Sequence, residues 1–315
     1  MSAPVIPAPE SLAAGAPVTA RPASLWRDTL GNILRQRSAV IGIVILSAFV
    51  FVGVFAPFIA PFDPDQSLLG KVEGVTKRAA PCIHLLGCPE DQPQFILGTD
   101  GNFRDMFSRI VYGTRISLPI GFAAMGLSIL VGTFIGAIAG YAGSGTDTVL
   151  MRLMDVVLAF PSLLLAIAIV TALGTSYLNA MLAITVVSIP VYARIVRSSV
   201  LSTRENDYVV ASRALGESPA GVLGRRVLPN AITPLIVQAT LGIGTAVLEI
   251  AALSFVGVAP IGPPEWGSMV AIERGQLFSA PHVVLIPGLA ITLAVLGFNL
   301  LGDGLRDALD PRLNR

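Results

Sequence analysis

Long uncharged segments constrain this chain more than any other feature of its sequence. The longest covers the 38 residues between Asp155 and Arg194, none of which carries a formal charge. A helix needs about 20 apolar residues to cross a hydrocarbon core of ~30 Å, so this segment is long enough for two short spans, joined at residues 173–176. Charged residues make up only 13% of the chain, whereas soluble domains contain about 25%. We therefore expect lipid to surround most of the chain.

The uncharged segments predict an all-α integral membrane protein with six transmembrane helices. The predicted spans lie near residues 38–60, 116–141, 153–173, 178–198, 231–258 and 282–302. The chain is accordingly divided into a disordered Pro/Ala-rich tail at 1–24, an N-terminal segment with the first span at 25–60, a loop at 61–113, a core of five helices at 114–304 and a tail at 305–315. The N-terminal tail has no apolar stretch of the kind that signal peptides contain.

The distribution of arginine predicts the orientation of the chain in the membrane, because basic residues near span ends favour the cytoplasm. Three segments are rich in arginine: the first 37 residues, residues 194–230 and the C-terminal tail. With six spans these segments lie on one side of the membrane. We therefore expect both termini to be cytoplasmic and the loop at 61–113 to lie outside.

Other features argue against several classes of function. The net charge is +1 and the basic residues are scattered, which disfavours binding to nucleic acid. Two histidines and two cysteines make an internal metal or haem site improbable. Lys71 and Lys77 are the only lysines, and neither lies in a phosphate-binding loop. We expect no catalytic residues and no cofactor or nucleotide bound by this chain.

The segment at 207–230, which connects the fourth and fifth predicted spans, has the most specific pattern. Asp207 can start a helix, and Gly216 can end it in a left-handed cap. Ser218 and Pro219 then suit the start of a second helix, and we expect Pro229 to break that helix before the membrane. A short helix with small side chains between two such breaks suits docking into a groove on another protein. A solvated loop that caps well is the alternative.

Several stretches resemble those of a known family. The spacing of Ala211-Ser212, Gly216 and Leu228-Pro229 resembles the EAA loop of ABC-transporter permeases, the segment that docks on the ATPase, although Val210 replaces the glutamate of that motif. Residues 97–118, 152–167, 248–258, 263–269 and 298–313 resemble the C-type subunit of the dipeptide/oligopeptide/nickel branch. The chain departs from the family at Phe103, where glycine is usual before the Arg-Asp pair, and in a longer insertion at 71–94.

The resemblance implies a type I ABC-importer permease in the inner or plasma membrane. It implies import of di- or oligopeptides, with nickel chelates or glutathione-like molecules as alternative substrates; a self-contained secondary transporter is a more distant alternative. The implied partners are membrane lipid, a homologous B-type permease in a heterodimer, two ABC ATPase subunits that use ATP and Mg, and an extracytoplasmic substrate-binding protein. The implied ATPase-coupling residues are Asp207, Tyr208, Ala211, Ser212, Arg213, Gly216, Glu217, Leu228 and Pro229.

Three residues are candidates for the translocation path or the permease interface. Glu249 is an ionisable group inside a predicted span, where charge is costly and indicates function. It either meets the amino terminus of a peptide or is a structural group at the interface with the second permease, and its shallow depth favours the structural interpretation. Pro161 can bend its helix near the gate. Asp155 follows Arg152 by three residues and can pair with it on one helix face.

Cys82 and Cys88 are close in sequence and lie in the loop that we expect outside the membrane, where disulfides persist. Closing so short a loop stabilises a protein by about 2 kcal/mol in the chain-entropy model. Free thiols are an alternative. A metal site that includes His84 is a second alternative, but it has only three ligands and a structural zinc site usually has four.

Overall fold

The structure is a computed structural model that describes residue 31 and residues 33–258, 260 and 262–309. The predicted tail at 1–24 and residues 310–315 lie outside the described residues. The regular secondary structure of the described part is helical, and the largely irregular loop before residue 106 adds two isolated β-bridges.

The helices of the described part are numbered in chain order. They are α1 (Arg37–Val54), α2 (Ala56–Ile59), α3 (Met106–Tyr141), α4 (Ser144–Leu158), α5 (Ser162–Leu173), α6 (Tyr177–Thr203), α7 (Asp207–Ala214), α8 (Pro219–Gly221), α9 (Leu228–Ala231), α10 (Thr233–Val256), α11 (Trp266–Glu273) and α12 (His282–Leu309). Short 3-10 turns cover His84–Leu86 and Arg274–Gln276, and a π-helical segment covers Val222–Val227.

Five of the described helices are long and apolar enough to cross a membrane: α1, α3, α6, α10 and α12. The pair α4 and α5 meets the same criterion only when taken together, and its two helices are bent by 88°. Counting this pair as one broken span gives six spans, the number that the sequence predicts.

The second span is longer than predicted, because α3 begins at Met106 rather than near residue 116. The loop predicted at 61–113 therefore ends at Asp105. The Asp105 carboxylate caps the helix and accepts a hydrogen bond from the backbone N–H of Ser108 at 2.7 Å. Arginines in the first turns of α3 interrupt the apolar pattern of the sequence, which is why the sequence places the start of this span too late.

The third span differs most from the prediction, which was one helix over residues 153–173. The structure has α4 from Ser144 and α5 from Ser162, with the 88° bend between them. Pro161 precedes α5, and proline disfavours helical backbone at the residue before it, here Phe160. The helix therefore stops before the proline and restarts after it. The predicted joint at residues 173–176 is confirmed, since α5 ends at Leu173 and Ser176 caps α6.

Close backbone contact holds the centre of the bundle together. Gly132, Gly136 and Gly140 lie four residues apart on one face of α3 and face α6. A side chain at Gly136 would overlap the carbonyl oxygen of Ala193, and one at Gly140 would press on Val200. Small residues at this spacing let membrane helices approach closely. We infer that α3 and α6 form one rigid unit, on which α10 packs, whereas α12 packs mainly against α10 and α1.

Candidate functional site

The predicted docking helix is present as α7, and it lies at the far end of α3 from the loop that precedes Met106. The guanidinium of Arg213 lies 5.3 Å from the ring centre of Tyr141, the last residue of α3. A helix of 36 residues is about 54 Å long at 1.5 Å per residue. The short helix and the long loop are therefore at opposite ends of the bundle, as the topology predicts.

The end of α7 has the geometry predicted for Gly216. This glycine has φ +83°, in the left-handed region, and its N–H donates to the carbonyl oxygen of Arg213 at 3.0 Å. The N–H of Glu217 reaches back to the carbonyl oxygen of Ser212 at 3.2 Å. These two bonds satisfy carbonyl groups that the helix end would leave free. The space around Gly216 is open, so the backbone conformation alone requires glycine there.

In the second half of the segment 207–230, the predicted helix start at Ser218 and Pro219 is confirmed, but the predicted helix end at Pro229 is not. The Ser218 hydroxyl accepts a hydrogen bond from the N–H of Gly221 at 3.2 Å, and Pro219 is the first residue of α8. The prediction that Pro229 breaks the helix is wrong, because Pro229 lies in the first turn of α9 and the chain remains helical to Ala231. Proline is tolerated in a first turn, where its missing N–H has no helical partner.

The segment 207–230 has one buried face and one exposed face. Val209, Val222 and Val227 are fully buried in the same apolar core as α3 and α6. The opposite face presents Val210 and Leu215, and 88% of the Leu215 side chain is exposed. Ala211, Arg213 and Pro229 are exposed as well, whereas Leu228 is half-buried against the core.

Polar contacts connect the two halves of the segment. The Tyr208 hydroxyl donates to the carbonyl oxygen of Arg226 at 3.4 Å, and Arg226 forms an ion pair with Glu217 at 3.1 Å. The Ser212 hydroxyl donates within α7 to the carbonyl oxygen of Tyr208 at 2.9 Å. Among the predicted coupling residues, Asp207 is the first residue of α7 and its side chain is exposed. The predicted coupling residues thus form one compact hairpin, whose exposed face carries the apolar Val210 and Leu215 beside the charged Asp207 and Arg213.

Helix α4 is held to α6 by two ion pairs. Asp155 accepts a hydrogen bond from Arg194 at 2.6 Å, and Asp147 accepts one from Arg197 at 2.6 Å. Asp155 therefore pairs with α6 rather than with Arg152 on its own helix. The sequence suggests the local pair because it does not show that α6 runs beside α4.

A cleft of about 240 Å³ opens at the bend between α4 and α5, and α6 and α10 form its other walls. Glu249 on α10 and Phe160, which precedes Pro161, both line this cleft. Its remaining polar lining is uncharged and consists of Ser162, Ser188, Tyr192, Gln238 and Thr245. The structure thus brings the predicted residue Glu249 next to the bend at Pro161. Asp155 lies outside the lining.

A buried ionic cluster, which the sequence did not predict, lies at the opposite end of the bundle. Arg109, only 1% exposed, donates to the carbonyl oxygens of Pro64 at 2.9 Å and Gly262 at 3.1 Å. Asp100 forms an ion pair with Arg104 at 2.7 Å. These contacts join the long loop, α3 and the segment before α11. The charged residues inside the motif at 97–118 were the available signal, because buried charge requires partners.

Two glutamates complete this cluster. Glu265 is buried at the start of α11 and accepts hydrogen bonds from the N–H groups of Gly267 at 2.8 Å and Ser268 at 2.7 Å, and from the Ser254 hydroxyl at 2.8 Å. Glu273 forms an ion pair with Arg78 of the long loop at 2.7 Å. The cluster therefore fixes the loop against α11.

Burial also affects the carboxyl group that caps α3. Desolvation raises the pKa of Asp105 above its ordinary value, and hydrogen bonds from Ser108 act in the opposite direction. The two effects are consistent with a carboxylate that has its capping partner but lies away from water.

Phe103, where the sequence departs from the family pattern, has an unusual backbone conformation. Its φ is +61°, in the left-handed region that disfavours residues with a side chain. Glycine, the residue usual at this position in the resembling family, adopts such a conformation without steric cost. The turn between Asp100 and Arg104 therefore holds a residue with a side chain in a conformation that favours glycine.

The sulfur atoms of Cys82 and Cys88 lie within bonding distance, and their Cα atoms are 5.4 Å apart. His84 lies between them, and its Nε2 is 2.8 Å from the carbonyl oxygen of Gln92. The described residues contain no group of three or more His, Cys, Asp or Glu side chains that could hold a metal ion. Leu85, at the tip of this ring, is 94% exposed.

Comparisons with known proteins agree with these features. Residues 132–315 match the family model described as the binding-protein-dependent transport system inner membrane component. Residues 24–81 match the N-terminal TM domain of oligopeptide transport permease C. In the solved inward-facing methionine ABC transporter MetNI, 98% of one chain aligns with 65% of this chain, at a TM-score of 0.55 and 20% identity, which shows a shared fold.

Curated relatives are similar over most of their length. A dipeptide transport system permease protein of Alkalihalophilus pseudofirmus is 43% identical over 92% of this chain and 91% of its own. A protein of the same description from Haemophilus influenzae is 42% identical over 95% of this chain and 99% of its own. A glutathione transport system permease protein of Pectobacterium atrosepticum is 38% identical over 91% of both chains. The chain therefore belongs to the family of ABC-importer inner-membrane permeases, in the branch of the C-type oligopeptide permeases.

Proposed function

We propose that this chain is the C-type permease subunit of an ABC importer for dipeptides and other short peptides. The observation that carries the proposal is the segment 207–230, a short exposed helix anchored to the core of the bundle. The relatives named as dipeptide permeases support the choice of substrate, since they share 42–43% identity over nearly the whole chain.

The exposed face around Ala211 and Leu215 is the proposed seat on an ATPase subunit. Apolar side chains and a low surface at alanine favour close contact, since a docking surface must lose its water without burying unpaired charge. Arg213, which lies over Tyr141, and the buried Val209 transmit any displacement of α7 to α3 and α6. Closure of two ATP-loaded, Mg-dependent ATPase subunits then reorients the permease.

Membership of the ABC-importer permease family supports the remaining proposed partners. A homologous B-type permease in a heterodimer provides the second wall of the translocation path, and the rest of the apolar surface contacts lipid. An extracytoplasmic binding protein delivers the peptide to the end of the bundle that carries the long loop and the ionic cluster. This orientation places both termini and the segment 207–230 in the cytoplasm.

Glutathione is the second candidate substrate, since relatives named as glutathione permeases share 38% identity with this chain. The chemistry overlaps, because glutathione is a tripeptide with a free amino group. The higher identity to the dipeptide permeases favours dipeptides.

Expression of this chain with a B-type permease, ATPase subunits and a peptide-binding protein encoded in the same genome tests the proposal. We expect a tagged chain to co-purify with two ATPase subunits and a second permease. Membrane vesicles containing the complex and loaded with ATP should accumulate a radiolabelled dipeptide, and unlabelled dipeptide should compete better than glutathione. Uptake in vesicles without ATP is the control. Purification of the chain without an ATPase, or uptake of glutathione alone, would contradict the assignment or its substrate.

A further inference from the structure

Glu249 differs from every other acidic side chain that is buried or half-buried in the described part of the chain. Each of the others accepts a hydrogen bond or forms an ion pair within the chain; they are Asp100, Asp105, Asp147, Glu217, Glu265 and Glu273. No such partner of Glu249 is found among the residues that the structure describes. The fold thus gives each of these other carboxylates a polar partner within the described chain, but Glu249 has none there.

Position makes an unpaired carboxylate at this site costly. Glu249 is the only charged residue of α10, which runs from Thr233 to Val256. It lies seven residues before the end of this helix, about 10 Å inward at 1.5 Å per residue. This depth alone favours the structural interpretation made from the sequence, but an ionisable residue inside a span usually faces a cavity or a partner of opposite charge. Glu249 lines a cleft and has no such partner among the described residues.

The surroundings of Glu249 indicate what the partner would be. Most of the cleft lining is apolar, and its polar groups besides Glu249 are uncharged, including the hydroxyl groups of Ser188 and Thr245 and the amide of Gln238. Tyr192 is buried, and its hydroxyl donates to the sulfur of Met125 at 2.9 Å, so this side chain joins α6 to α3 at the wall of the cleft. As the one charged group in this lining, the Glu249 carboxylate favours a positive charge on a bound solute, and the uncharged polar side chains can form hydrogen bonds with it.

We propose that Glu249 binds the positively charged amino terminus of the transported peptide as the peptide passes the bend between α4 and α5. This inference rests on the proposed function and assigns its substrate contact to one residue. Every peptide with an unmodified amino terminus has this ammonium group, so the contact is independent of the side-chain sequence.

The test compares Glu249→Gln and Glu249→Asp in the complete transporter, reconstituted with its ATPase subunits and a saturating, dipeptide-loaded binding protein. The measured quantities are complex yield, ATP hydrolysis and dipeptide transported per ATP hydrolysed. Glu249→Gln keeps the size and hydrogen-bonding shape but loses the charge. We expect normal assembly and normal ATP hydrolysis, with transported dipeptide per ATP reduced about tenfold, because a hydrogen bond to a charged group contributes more than one between neutral groups. Glu249→Asp should retain most of the transport.

Asp303→Asn is the matched control, because Asp303 is an exposed acidic residue of α12 outside the cleft. It should transport like the wild type. Two results would overturn the inference. One is a Glu249→Gln complex that assembles and transports like the wild type. The other is a Glu249→Gln chain that fails to assemble while Glu249→Asp assembles, which would place the carboxylate at the subunit interface. A wild-type complex without ATP-dependent dipeptide uptake would instead contradict the proposed function.

Discussion

The guanidinium of Arg213 lies 5.3 Å from the ring centre of Tyr141. This contact joins the proposed docking helix α7 to the last residue of α3, and the glycine face of α3 lies directly against α6. A cation over an aromatic ring contributes about 0.5–1 kcal/mol at an exposed site. The contact is therefore too weak to hold the helix alone, and the buried Val209, Val222 and Val227 supply most of the anchoring.

Replacement of Gly216 by valine should weaken the coupling between ATP hydrolysis and transport, and backbone strain alone should cause this effect. An added Cβ meets no atom within 4 Å, so a steric clash with neighbours does not contribute. The positive φ instead makes valine cost at least ~1 kcal/mol, which should shift the end of α7. We expect substrate-stimulated ATP hydrolysis and peptide uptake to fall together, with normal membrane insertion.

Gly224→Val is the control for this change. Gly224 is also exposed and has open space around it, but its φ is not in the left-handed region. Its replacement should leave coupling close to that of the wild type. Equal activity of the Gly216 and Gly224 variants would show that the left-handed turn does not matter for coupling.

Residues far apart in sequence explain why some of the fold was predictable and some was not. The number of spans, the joint at residues 173–176 and the turn at Gly216 depend on local composition and backbone preference, and the sequence predicts all three. The predicted start of the second span was wrong because the local pattern treats Arg109 as too polar for a helix inside the bundle. In the structure Arg109 donates a hydrogen bond to the carbonyl oxygen of Gly262, 153 residues away. A local pattern cannot show that partner.

In the candidate site, too, the sequence predicts local features but not those that depend on helix packing. The spacing of the coupling residues can be recognised in the sequence, as can the presence of an ionisable residue at position 249. The lack of an ion-pair partner for Glu249 within the described chain and the cleft at the bend depend on how α4, α6 and α10 pack together. The pairing of Asp155 with Arg194 likewise depends on α6 lying beside α4.

Removal of the Glu265 side chain should destabilise the end of the bundle that carries the ionic cluster. Glu265→Ala leaves the N–H groups of Gly267 and Ser268 and the Ser254 hydroxyl without their acceptor in a buried site. Lost capping and unsatisfied buried donors together cost about 3 kcal/mol. The apparent melting temperature of the purified complex should fall, whereas Glu90→Ala, at an exposed position, should leave it nearly unchanged. Equal melting temperatures for the two variants would contradict the structural role of Glu265.

Cys82 and Cys88 should form a disulfide in the mature protein. In intact membranes, a thiol reagent should leave both cysteines unlabelled before reduction and label both after it. Replacement of both by serine should lower the stability of the loop by about 2 kcal/mol, because the chain-entropy constraint on the unfolded state is lost. Complete labelling without prior reduction would show that the thiols are free.

The central claim, that α7 couples this permease to an ATPase, is tested most directly by Ala211→Glu in the reconstituted transporter. Glutamate adds bulk and charge to a surface that must lose water on docking, so the cost falls on the interface. Ala80→Glu, an exposed alanine in the long loop at the other end of the bundle, is the matched control. We predict that Ala211→Glu abolishes substrate-stimulated ATP hydrolysis and dipeptide uptake together, while Ala80→Glu retains both. Wild-type hydrolysis and uptake in a correctly assembled Ala211→Glu complex would contradict the account.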